Sequence, residues 1–533
     1  MRLSWVHSCG AVFALGLLCG STLGQTLPDF RPETYPPGLR KPIPALSRSP
    51  FSAVQTTDAL GARAAEGAAA MQAGRFQEAV TIYDELASAR PTNAGLLMNL
   101  GMALYMAGHP ADALPPLQKA VRLSPALAPA SLFLGAALLD LGRARDALRP
   151  LQHAVTALPQ NADAREMLAR AYLERSQFTS ASVHYRMLTT MQPVNPKAWY
   201  GLARTYQSIA EEALGALQRQ SLDSSLLELV VADVAVTQEK FGAALAIYRR
   251  ALDGTTPVGG LHEAVAELYE RAGKPEWAAA ESRKVSRRST AECAARQAEC
   301  DFLAGRFRES LAAALRSPTA VGRYWVIRSA NRLATEAVAR LETLPPSVEL
   351  HLIRGELAQS RGRYTESVTE VRAALELSPG SSTIETALAE ALLHAHNLDE
   401  ALPLLERLNR EHPADGPLLL MYGDALVQSQ QLERAIPILE DAVKAAGALV
   451  SARASLGRAY VQAGRYQEAL SHLDAAARED DDGDVHYQLA RAYQALERPV
   501  DAKKALAEYQ KRRERAAPTL SGDAADKPLT PPK

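Results

Sequence analysis

Residues 93–126 read NAGLLMNLGMALYMAGHPADALPPLQKAVRLSPA, and residues 127–160 read LAPASLFLGAALLDLGRARDALRPLQHAVTALPQ. Laid one under the other, Gly101, Leu104, Gly108, Ala113, Leu117, Ala120 and Pro125 of the first fall on Gly135, Leu138, Gly142, Ala147, Leu151, Ala154 and Pro159 of the second. The step is 34 residues, and it also spaces Pro91, Pro125, Pro159 and Pro193, then Pro379, Pro413 and Gly447. A fixed period of this length means that each copy is one supersecondary unit in an array.

Each copy reads as two helices. Leu100, Gly101 and Leu104 lie at i, i+1 and i+4, and Ala113, Leu117 and Ala120 at i, i+4 and i+7, so each half gathers its apolar or small residues on one helical face. Gly108 and Gly142 punctuate the turn between the helices, and the closing prolines stop the second helix. Small residues at Gly101, Ala113 and Ala120 let the two axes approach to about 8–10 Å. One such hairpin cannot bury both faces, so its stability comes from stacked neighbours.

These marker positions resemble the tetratricopeptide repeat (TPR), across most of the chain. The resemblance implies an all-α, TPR-type α-solenoid of about fourteen units over residues 56–516, a right-handed superhelix whose first helices line a concave groove for peptides or protein segments. It also implies scaffold work, not catalysis. The TPR adaptors that clamp a C-terminal carboxylate do so with lysines, asparagines and an arginine. Only Asn99 matches such a place here, with Ala64, Ala68, Pro129 and Phe133 at the neighbouring ones, so that ligand is not expected.

Around the array the composition changes. Residues 1–24 carry Arg2, an apolar run from about Gly10 to Leu18 and the small-residue ending Thr22-Leu23-Gly24, the layout of a cleaved secretory leader. Its apolar part is too short to span a bilayer comfortably. Residues 25–55 form a proline-rich arm, and 517–533, with four further prolines, read as a disordered tail. Two short irregular units interrupt the array, near 196–224 and 319–347. There Leu333, Glu336, Ala337, Val338 and Leu341 match Ile209, Glu212, Ala213, Leu214 and Leu217 at a constant offset of 124, which points to an internal duplication.

Charge excludes some function classes. Lys and Arg total 59 against 60 Asp and Glu, so no global field draws nucleic acid or an anionic membrane. No phosphate loop, nucleophile elbow or zinc motif is present, and the repeats leave no uninterrupted block for a catalytic domain. His394 and His396, two apart, sit on different helical faces and are poorly placed to share a metal. The run Asp480-Asp481-Asp482-Gly483-Asp484 lacks calcium-loop spacing because position 478 is arginine; it reads as an acidic turn before a helix N-terminus. No metal site, cofactor or membrane span beyond the leader is expected.

Cys293 and Cys300 are the cysteines left once the leader is removed, and in an oxidising compartment such a pair bonds. Ser289-Thr290-Ala291-Glu292 complicates this as a capping box, because seven helical residues rise about 10.5 Å, beyond disulfide reach. The bonded reading therefore requires the helix to start after Cys293. Two buried thiols are the alternative.

The candidate partner-binding surface is a ribbon of first-helix positions: Met98, Met102, Tyr105 and Met106, with Met71 from the preceding unit and Leu132 and Leu139 from the following one. Flexible, polarisable methionines suit adaptable binding of apolar segments. The same pattern also fits burial, by tight curvature or by the proline-rich arm. Leader, arm and array together resemble the exported TPR proteins of Gram-negative bacteria. The expectation is an exported, periplasmic or extracellular, non-enzymatic scaffold for proteins or peptides; the alternative is a structural subunit of an envelope secretion or polysaccharide-export assembly.

Overall fold

The 34-residue period becomes a succession of helix pairs. The computed structural model describes residues 59–220, 225–254, 258–285, 288–445, 450–480, 483–516 and 528–532, so the leader and the proline-rich arm lie outside the described residues. The first pairs are α1 (Ala59–Gln72) with α2 (Phe76–Ala89), α3 (Ala94–Met106) with α4 (Pro110–Leu123), α5 (Ala128–Asp140) with α6 (Ala144–Ala157), and α7 (Ala162–Glu174) with α8 (Phe178–Met191). A long helix α9 (Pro196–Gln220) follows, then shorter ones: α10 (Ser225–Thr237), α11 (Phe241–Asp253), α12 (Leu261–Arg271), α13 (Pro275–Ser282), α14 (Thr290–Ala295), α15 (Gln297–Leu303) and α16 (Phe307–Leu315). A second long helix, α17 (Ala320–Glu342), leads into five regular pairs: α18 (Val348–Ser360) with α19 (Tyr364–Leu377), α20 (Ser382–His394) with α21 (Leu398–Glu411), α22 (Gly416–Gln428) with α23 (Leu432–Ala445), α24 (Val450–Gln462) with α25 (Tyr466–Ala476), and α26 (Asp484–Ala495) with α27 (Pro499–Ala516). Among the described residues there is no strand, and no helix is long and apolar enough to cross a membrane.

Local chemistry sets the boundaries. Asn93 and Asn161 cap α3 and α7, their Oδ1 atoms accepting from the Leu96 and Ala164 amides at 3.1 and 2.8 Å. Each second helix stops two residues before its closing proline, at Ala89, Leu123, Ala157, Met191, Leu377 and Glu411. Asp480 caps the last pair: its carboxylate accepts from the amides of Gly483, Val485 and His486. Inside a pair the axes are as close as the small residues allow, since a Cβ on Gly101 or Gly135 would stand 2.4 Å from Cγ of Leu117 or Leu151.

The turn within a pair needs a left-handed residue. Gly108 and Gly142 supply it with φ of +89° and +69°, but Ser176, Glu239, His396, Gln430 and Glu497 adopt the same region at +53° to +63°. A side chain there costs about 1–2 kcal/mol, partly offset because glycine loses more entropy on folding. Gln430→Gly is therefore expected to stabilise the α22–α23 pair by about 0.5–1 kcal/mol in urea unfolding. An unchanged or lowered midpoint would mean that no such strain is held in the turn.

The two long helices answer each other. In α9 Ala210 stands where a regular unit places its turn glycine, so the helix continues through Ile209, Ala213, Leu214 and Leu217; α17 does the same through Leu333, Ala337, Val338 and Leu341, and all eight are buried. α9 and α17 pack on each other in the most extensive helix–helix contact of the described chain. The pair is antiparallel: Tyr206, early in α9, lies within electrostatic reach of Glu336, late in α17, and Lys197 lies within reach of Glu349, just beyond the end of α17. What the sequence divides into two short units is one helix pair whose halves are separated by an excursion, α10–α16.

Cys293 and Cys300 are bonded, with Cα atoms 5.5 Å apart. The requirement that the helix start after Cys293 is corrected. The capping box forms, with Ser289 and Glu292 exchanging bonds, and Cys293 lies inside α14. The helix then breaks at Arg296 (φ −124°, ψ 47°), where α15 begins in a new direction, and the break removes the helical rise that would have kept the sulfurs apart.

The tail also departs from expectation. Residues 528–532, part of the segment read as disordered, lie against α11 and α12: Leu529 packs on the central core and Thr530 is hydrogen-bonded there. Residues 517–527 lie outside the described residues.

Candidate functional site: the wall of first helices

From α3 onward each first helix packs on the next first helix, in the order α3, α5, α7, α9, α18, α20, α22, α24, α26, whereas no two successive second helices come as close. The side on which like helices close up is the inside of the curve. One register position recurs along it: Met102, Ala136, Arg170 and Arg204 at steps of 34, then Glu356, Glu390, Asp424 and Arg458 at the same step. The excursion is skipped, because α18 lies beside α9: Arg204 Nη1 donates to Glu356 Oε2 at 2.9 Å and Tyr200 Oη to Glu356 Oε1 at 3.4 Å.

At the N-terminal end this closure buries the methionine ribbon, which corrects its reading as an open groove. Met98 is 5% exposed and Met102 3%, and Leu132 and Leu139 are buried with Met102 in one core cluster. Tyr105, Met106 and Met71 are half-buried against that cluster, and the Tyr105 ring meets Phe133 of α5 edge-on at 5.9 Å. The physical reason is helix proximity: α3 and α5 pack so closely that the groove-lining positions become the contact between them.

Further along, the same face turns polar. Arg170 reaches Asp140 at 3.3 Å and Glu174 at 3.5 Å; Arg458 reaches Asp424 at 2.6 Å. Around α7, α9, α18 and α20 acids predominate: Asp163, Glu166, Glu211, Glu349, Glu356 and Glu390 face Arg170, Lys197 and Arg204. Burial raises the carboxyl groups of Glu211 and Glu390, and in each case Glu356 adds to the effect. Glu166 is pushed up to about 7, first by burial and then by Asp163 and Glu349, against the opposing pull of Arg170. Among the described residues it has neither a hydrogen bond nor an ion pair. Nothing in the sequence pattern singled out Glu166 beyond its place one turn before Arg170 on the same face.

The Glu166 proton gives a pH test. Below about pH 4.5, its ordinary value, the side chain is protonated folded or unfolded; as pH rises through about 7 the folded chain must carry a poorly solvated carboxylate. Its favourable contribution is thus fully present at low pH and lost on going up. Glu166→Gln should raise Tm at pH 8, by an amount equivalent to roughly 1–3 kcal/mol, and leave it unchanged at pH 4.5. An equal gain at both values would show that charge is not the cause.

Family comparison agrees with this architecture. Tetratricopeptide-repeat models match residues 64–128, 138–205, 358–421, 392–456 and 460–517, together more than half of the chain. The chain belongs to the tetratricopeptide-repeat family. The TPR matches stand on either side of residues 206–357. No curated protein matches at a significant level. Among solved TPR-like structures, a crystal structure of MamA protein is 25% identical over 28% of this chain and 83% of its own, with a TM-score of 0.27. The APC/C hetero-tetramer Cut9-Hcn1 is 15% identical over 86% of this chain and 96% of its own, with a TM-score of 0.32. TTC0263, a thermophilic TPR protein of Thermus thermophilus, is 21% identical over 33% of this chain and 99% of its own, with a TM-score of 0.29.

Proposed function

We propose that this TPR protein is an exported, non-enzymatic scaffold that holds a lysine- or arginine-bearing segment of a partner protein on the wall of first helices between α7 and α20. The observation that carries the reading is Glu166: a half-buried carboxylate among other acids, with neither hydrogen bond nor ion pair among the described residues, gains from a cation that arrives with a ligand. Glu349 of α18 faces it, and Glu356 and Glu390 carry the acidic strip along α18 and α20. The leader-like residues 1–24 support export, to the periplasm or beyond.

The test is equilibrium binding at pH 8 and low salt of two labelled peptides with the same apolar residues, one bearing lysines and the other glutamates. Preferential binding of the lysine peptide, weakened at least about tenfold by Glu166→Gln with Glu349→Gln, is expected. Equal binding of both peptides, or indifference to the substitutions, would contradict it. Purification from an envelope extract in a fixed stoichiometric complex would favour the assembly subunit instead.

A further inference from the structure

A second place on the molecule already holds a peptide. Pro528-Leu529-Thr530-Pro531-Pro532 lies across α11 and α12, away from the wall of first helices. Arg249 of α11 donates to the Thr530 hydroxyl, to the Thr530 carbonyl at 3.2 Å and to the Pro531 carbonyl at 2.6 Å. Tyr269 of α12 accepts from Arg249 at 3.2 Å and donates its own proton to the Thr530 carbonyl at 2.8 Å. Trp277 stands edge-on to the Tyr269 ring at 5.6 Å, and Leu529 is tucked against the central core.

We infer that the cleft between α11 and α12 is a receptor for extended, proline-rich peptide, with the chain's own C-terminal segment as its resident ligand. The chemistry is complementary. Three of the five tail residues are prolines, which have no N–H, so the segment presents carbonyls it cannot satisfy internally. The cleft meets them with Arg249, a donor in every direction, and with a tyrosine hydroxyl whose acceptor side Arg249 already fills, leaving its proton for the ligand. A proline-rich strand is also stiff before it binds, so little entropy is lost on docking. Because the resident segment is tethered, any partner segment of like chemistry must displace it, and the cleft opens only to a competitor.

The test uses the full-length chain and a labelled peptide of residues 528–533. Leu529→Glu removes the apolar anchor of the tethered segment and should expose the cleft, so that the peptide binds this variant at least about tenfold more tightly than it binds the wild type. Adding Arg249→Gln to Leu529→Glu should abolish the gain. Tyr269→Phe, which keeps the packing and removes only the hydroxyl, should weaken binding severalfold and guards against misfolding of the arginine variant. Equal affinity for wild type and Leu529→Glu, no binding to Leu529→Glu, or binding unaffected by Tyr269→Phe would each overturn the inference.

Discussion

Arg328→Ala should lower the stability of the central region by about 2–3 kcal/mol, because it empties a buried guanidinium site and leaves Asp233, itself 23% exposed, without its counter-charge. Arg328 of α17 is 7% exposed; its Nε lies 3.0 Å from Asp233 Oδ2 of α10, and its guanidinium sits 4.7 Å from the ring centre of Phe302 in α15. Asp233 also accepts from the Tyr248 hydroxyl of α11. Arg328 thus ties α10 and α15 to the long pair, and Asp233 extends the tie to α11. Burial already raises the Asp233 carboxyl, with Arg328 pulling against it. Without the arginine that group should take up a proton more readily, and the loss should shrink at acid pH. Thermal unfolding followed by circular dichroism, with hydrogen exchange over residues 225–315, gives the measurement. A loss below about 1 kcal/mol, or protection unchanged in the excursion, would mean that Arg328 is not the tie.

Met98→Gln together with Met102→Gln is the other large expected effect, at roughly 2–4 kcal/mol for each substitution, since each places an amide where a thioether is buried, Met102 in the cluster shared with α5 and Met98 in the cluster shared with α1 and α2. The loss should be local. Interfaces along a solenoid are shared only with neighbours, so α1–α6 should melt in an early transition while the C-terminal pairs hold. Met106→Gln, at a half-buried position, is the control and should change little. Unaltered melting of the double variant would restore the open apolar groove.

The repeat was legible because its determinants are local: Asn93 and Asn161 cap, the closing prolines end the second helices, and Gly101 and Gly135 admit the leucine of the facing helix. The match of Ile209 and Leu217 to Leu333 and Leu341 was also legible, but likeness does not reveal contact, and nothing local says that the two copies pack on each other. The methionine ribbon was placed at the right register, but groove and burial both fitted its pattern, because the closeness of α3 to α5 is a property of the stacked array and not of either helix. For the cysteines, Ala295-Arg296-Gln297 carries no breaker, so the capping box and the disulfide looked incompatible until the kink at Arg296 reconciled them. The tail clamp had no sequence signal at all, since Arg249 and Tyr269 are ordinary helix residues until Thr530 arrives.

The wall of first helices passes directly from α9 to α18. Spin labels placed at Lys197→Cys and Glu349→Cys in the chain from Gln25, which leaves out Cys9 and Cys19, with the native Cys293–Cys300 pair oxidised and so unreactive, would measure that step by electron–electron resonance. A separation below about 20 Å is expected, since neighbouring helix axes lie about 8–10 Å apart. A separation of about 40 Å or more, as the helices between them would impose in an unbroken linear array, would contradict the account.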